Sequence, residues 1–76
     1  MEIELQKTNL KTTMQAAATR MTECAKQMLV YANALEKTQD VNTAITIRAR
    51  ATELNGAARL LLDWHDALFP KPVTEE

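Results

Sequence analysis

The hydrophobic pattern of the chain repeats every seven residues. One column holds Met14, Met21, Met28 and Leu35, and a second, three places on, holds Leu10, Ala17, Cys24 and Tyr31. A third holds Ala18, Ala25 and Ala32. In an α-helix these three columns adjoin, so they form one apolar stripe, with Thr12, Thr19, Lys26 and Asn33 nearly opposite. The pattern predicts an amphipathic helix over about 9–37. Thr8 or Asn9 is suited to cap its start, and Lys37 to face the negative end of its dipole. Residues 1–9 place Ile3 and Leu5 among Glu2, Glu4 and Lys7. The two acids suit a helix N-terminus, and both an added helical turn and a loose arm are compatible with this stretch.

Thr38-Gln39-Asp40 is the expected break, because weak helix formers gather there and Asp40 is a good N-cap. A second helix over about 41–69 repeats the plan of the first. Ile47, Leu54, Leu61 and Leu68 recur every seven residues, accompanied by Ala44, Ala51 and Ala58. Folding the chain antiparallel about Gln39 sets Met14 near Trp64, Ala17 near Leu61, and Met21 near Ala57 and Ala58. It also sets Cys24 near Leu54, Met28 near Ala51, Tyr31 near Ile47 and Leu35 near Ala44. Large faces small at most levels, as a dense helix–helix seam requires. Asn55-Gly56 is the one internal breaker, but Leu54, Ala58 and Leu61 keep phase across it, which predicts a continuous helix with a weak spot. Pro70 and Pro72 end the pattern, leaving 70–76 as a disordered tail behind a single domain, 1–69.

The expected fold is all-α, an antiparallel two-helix hairpin. Ala57–Phe69 carries Leu60, Leu61, Leu62, Trp64, Leu68 and Phe69 on more than one side of its helix, and such a helix must be covered on more than one side. We therefore expect the hairpin to dimerise into a four-helix bundle.

Composition narrows the chemistry. With 76 residues there is room for one small domain. The formal charge is −1 with both signs scattered, which supplies no electrostatic reason for binding nucleic acid or anionic lipid. One Cys and one His are too few for a disulfide framework or a structural zinc site. The acidic start Met-Glu-Ile-Glu-Leu is unlike a signal peptide, and the apolar runs Met28–Ala32 and Ala67–Pro70 are far shorter than a membrane span. A cytoplasmic protein is expected, with no cofactor, metal or small-molecule substrate.

No catalytic constellation emerges. His65 beside Asp63 and Asp66 reads as a polar edge next to Trp64, because the two acids point apart on a helix. Cys24 lies in the apolar stripe as a small hydrophobe. Arg48, Arg50 and Arg59 are the one basic grouping, and Glu53 and Asp63 lie within a turn of them, available to pair. Arg50 falls at the edge of the stripe near Met28, where it would snorkel outward or meet an acid on another chain.

The expected function is a small non-enzymatic helical protein–protein interaction module: an adaptor, inhibitor or regulatory subunit of the kind found among phage and bacterial accessory proteins. Its partner is another protein or a second copy of itself. The candidate partner-binding residues are Leu60, Leu62, Trp64, Leu68 and Phe69, with a smaller surface at Leu29 and Val30. In its hairpin outline and its Leu54–Leu62 apolar run, the chain resembles the short helical-hairpin partners that stabilise type III secretion needle subunits. That resemblance implies a co-chaperone. A DNA-associated regulator is the other alternative, and it would require the arginines to be free for phosphate.

Overall fold

The computed structural model describes residues 2–71 and consists of two helices, α1 (Glu2–Lys37) and α2 (Val41–Leu68), packed against each other as a hairpin. α1 starts about two turns earlier than the pattern of large residues suggested. Glu2 and Glu4 occupy its first turn, where they meet the positive end of the dipole, so neither Thr8 nor Asn9 is a cap. α2 runs unbroken through Asn55-Gly56. Of the expected tail, Pro70 and Lys71 are non-helical, and 72–76 lie outside the described residues.

The three-residue turn serves both helices. Gln39 takes a left-handed backbone, φ 68°. Its N–H donates to Glu36 O at 3.0 Å, and the Asp40 N–H donates to Leu35 O at 2.9 Å. This paired closure of the last carbonyls is the Schellman arrangement, here with Gln where Gly is usual. Asp40 then caps α2, its Oδ1 accepting from Thr43 N at 3.4 Å. One turn thus ends one helix and starts the next with no Gly or Pro, at a cost of about 1 kcal/mol for the left-handed glutamine.

The seam is made of alanine. Ala18, Ala25 and Ala32 of α1 and Ala44, Ala51 and Ala58 of α2 are buried, between 0 and 2% exposed. Met14 and His65 are the other buried side chains, and no large side chain among the described residues is wholly enclosed. The contact line is therefore rotated from the expected one. The third column of α1 faces α2, while Tyr31 is 57% exposed, Leu10 48%, and Cys24 is also exposed. On α2, Trp64 is 55% exposed and stands outside the buried column. Met21, Met28 and Leu35, with Ile47, Leu54 and Leu61, are only half-buried beside the seam. The physical reason is distance: methyl side chains let two helix backbones approach more closely than methionine and leucine would.

The result is one layer of helices. The molecule measures 56 × 29 × 14 Å, with a radius of gyration of 17.3 Å against about 11 Å for a compact chain of this length. Gly56 lies in α2 with open space where its Cβ would be. Gly56→Ala should therefore raise unfolding stability by about 1 kcal/mol in a urea titration, through helix propensity alone. Ala25→Leu, at the centre of the seam, should lower it by about 1–3 kcal/mol in the same titration, because the helices cannot separate at that level without losing contacts above and below.

Candidate functional site: the two faces of the hairpin

In an antiparallel pair, residues offset by the same number of positions from the seam fall on the same side of both helices. Residues three places after the seam alanines make one side: Met21, Met28 and Leu35 from α1, with Ile47, Leu54 and Leu61 from α2. Outside these ridges lie Leu10, Ala17, Cys24 and Tyr31 on α1 and Arg50, Ala57 and Trp64 on α2. Leu68 extends the α2 ridge and is 58% exposed. This side is apolar along most of its length, with Arg50 its one charged residue between Ile47 and Leu68.

The opposite side holds the residues four places after the alanines, and side-chain bonds join them across the helices. Arg48 donates to both carboxylate oxygens of Glu36, at 2.7 and 2.9 Å, and to Asn33 Oδ1 at 2.6 Å. The two-pronged bond holds the Glu36 carboxyl below the ordinary glutamate value and raises the Arg48 guanidinium above its own. Further along, Thr22 of α1 and Asn55, Gly56, Ala58, Arg59 and Leu62 of α2 line an open groove of about 450 Å³. Thr22 spends its hydroxyl on Ala18 O at 3.0 Å.

The candidate partner-binding residues divide between these sides. Trp64 and Leu68 belong to the apolar side. Leu62, at 42% exposure, lines the groove on the opposite side, and Leu29 and Phe69 share that side. Leu60 and Val30, 48% and 63% exposed, sit on the outer edges of their helices. The half-buried ridge of Met21, Met28, Leu35, Ile47, Leu54 and Leu61 was absent from the sequence-based set because its residues were assigned to the seam. Their heptad spacing was visible, but which of three adjoining columns points inward was not.

His65 is not a polar edge. It occupies the place in the seam column where alanine stands at Ala44, Ala51 and Ala58, and is 7% exposed. Its Nδ1 lies 3.0 Å from Asp66 Oδ1, and its ring centroid 5.5 Å from that of Phe69. Nε2 is buried and meets no hydrogen-bond partner. With the ring proton on Nδ1 donating to Asp66, Nε2 is left as a buried lone pair, cheaper than a buried N–H. Among the described residues no three His, Cys, Asp or Glu side chains come together as a metal-holding group. No helix of the described residues is long and apolar enough to cross a membrane. Arg50, expected to snorkel or to meet an acid on another chain, is held by Glu53 of its own helix, both carboxylate oxygens at 2.9 Å.

Because the Glu36 carboxyl is held down by Arg48, the pair stabilises the fold above the ordinary glutamate range, and that contribution fades as pH falls through the lowered folded-state value. Glu36→Gln should accordingly lower Tm at about pH 7, and the gap to the parent chain should be narrower at about pH 3, below the ordinary glutamate value. Thermal melts at the two pH values by circular dichroism check this. No protein-family model, curated protein or solved structure matches the chain.

Proposed function

We propose that the protein is a non-enzymatic helical interaction module whose working surface is the Met/Leu side of the hairpin, and that two copies pair through it as a four-helix bundle. The observation that carries this reading is the one-sided, uncovered apolar face between Leu10 and Leu35 on α1 and between Ile47 and Leu68 on α2. Area supports it. A compact monomer of 8.5 kDa exposes about 4,700 Å². This hairpin exposes 6070 Å². The excess of about 1,400 Å² is larger than the roughly 800 Å² that each partner buries in an interface of standard size.

Energetics point the same way. A seam of six alanines and one methionine removes little apolar surface from water, and helices paired only so are marginal. Covering the Met/Leu side would supply the missing burial. A second copy is the partner always present at the chain's own concentration, and the face carries little charge that would select a different one. A larger helical protein, as the co-chaperone alternative requires, would use the same face. The DNA-associated alternative is disfavoured by a specific observation: Arg48 and Arg50 both grip carboxylates instead of standing free for phosphate.

Light scattering on the purified chain should return twice the 8.5 kDa of one chain, with a melting temperature that rises with protein concentration. Trp64→Ala should weaken pairing at least tenfold in an equilibrium sedimentation series, since a large aromatic that the partner covers contributes more than about 1.4 kcal/mol. A single-chain mass at all concentrations, with unchanged mass in the variant, would overturn the pairing.

A further inference from the structure

Resting on that pairing, we infer that the second copy lies with its turn at the opposite end of the bundle, the two-fold axis passing at the level of Met21 and Ala57. The turn sets the relative height of the two helices. Lys37 and Val41 flank it, so counting back equal distances along both helices brings Met21 and Ala57 to the same height.

Each helix is close to palindromic about that height in the columns that face the partner. On α1, Met14 falls opposite the partner's Met28, Met21 opposite its own copy, Leu10 opposite the partner's Tyr31, and Ala17 opposite the partner's Cys24. On α2, Ile47 falls opposite the partner's Leu68, Leu54 opposite the partner's Leu61, and Ala57 opposite its own copy. The centres of these pairings agree to within half a residue, and the one ridge residue left without an apolar counterpart is Leu35, which falls level with the partner's Lys7.

Two further observations favour this arrangement over turns at one end. Between Leu10 and Leu35 and between Ile47 and Leu68, Arg50 is the one charged residue in these columns. The axis at Ala57 sets it level with the partner's Trp64. Trp64 is 55% exposed, and the guanidinium is already neutralised by Glu53, leaving its flat face free to stack on an indole. Also, α1 is 36 residues long and α2 only 28, so the first turns of α1 overhang the end of α2. Ile3 and Leu5 on that overhang are 76% and 61% exposed. With turns at opposite ends Ile3, which shares the Leu10 column, lies level with the end of the partner's α1 and its turn, which covers it, while Leu5 shares the Thr12 column on the far side and stays exposed. With turns at one end, neither chain has a helix level with them except the other overhang.

The test is a distance. Cys24 is the only cysteine, so Cys24→Ala clears the background and Lys37→Cys places one spin label per chain beside the turn. Lys37 lies sixteen residues from Met21, so pulsed electron resonance on the paired protein should read about 50 Å between labels. Asn42→Cys supplies a second position at nearly the same height should the first variant fold poorly. A two-chain mass with a separation below about 25 Å would overturn the opposed arrangement while leaving the pairing intact. A single-chain mass with no distance between labels would overturn both.

Discussion

The close approach of two helices along six alanines is the constraint on which the rest of this molecule depends. Alanine is the best helix former and the smallest residue that keeps a helix stable, so a column of it costs nothing in propensity and lets the backbones come together. It also buries almost nothing. A pair held this way has no interior for its larger apolar residues: Met21, Met28, Leu35, Ile47, Leu54, Leu61 and Trp64 stand on one side, Leu29, Leu62 and Phe69 on the other, and Val30 and Leu60 on the outer edges. The hairpin is therefore a scaffold that presents an apolar sheet of side chains rather than a domain that encloses one.

The two sides are kept distinct by the residue types standing three and four places after the alanines. Met and Leu stand at the first offset. At the second, Thr22, Glu36, Arg48 and Asn55 stand among Leu29, Leu62 and Phe69, and Arg48 ties α2 to α1 through Glu36 and Asn33. Among the described residues this clamp is the one cross-helix polar device near the turn, and it faces away from the Met/Leu ridge. Association through that ridge would leave it undisturbed. Thr22 on the groove side, and Thr46 and Thr52 elsewhere on α2, bond carbonyls one turn back in their own helices.

Much of this was legible in the sequence, and the part that was not has a definite cause. The seven-residue period, the turn at Thr38–Asp40, the cap at Asp40 and the continuity of α2 through Gly56 arise from local chemistry and agree with the structure. The direction of the stripe did not. Ranking residues by hydrophobicity points Met and Leu inward, but packing two isolated helices ranks them by size, and Ala wins. His65 was hidden by the same error: once the alanine column is the seam, position 65 is its next member, and a buried imidazole there is what the period requires. The start of α1 stayed open in the sequence because Thr8 and Asn9 resemble caps while the acids at Glu2 and Glu4 also suit a first turn, and the structure places the first turn at the acids.

A single layer also changes what stability means for this chain. If the Met/Leu side is covered only on pairing, most of the apolar burial arrives with association, and folding and assembly become one equilibrium that depends on concentration. Any other helix that competed for that side would then act on the fold itself and not only on the pairing. The half-buried methionines suit such a surface, since an unbranched thioether adapts to neighbours of differing shape more readily than a branched side chain does. In the proposed pair, Arg50 and the partner's Trp64 would restrict that freedom at the rim, because a stacked cation and indole can form in one register and are lost in its neighbours.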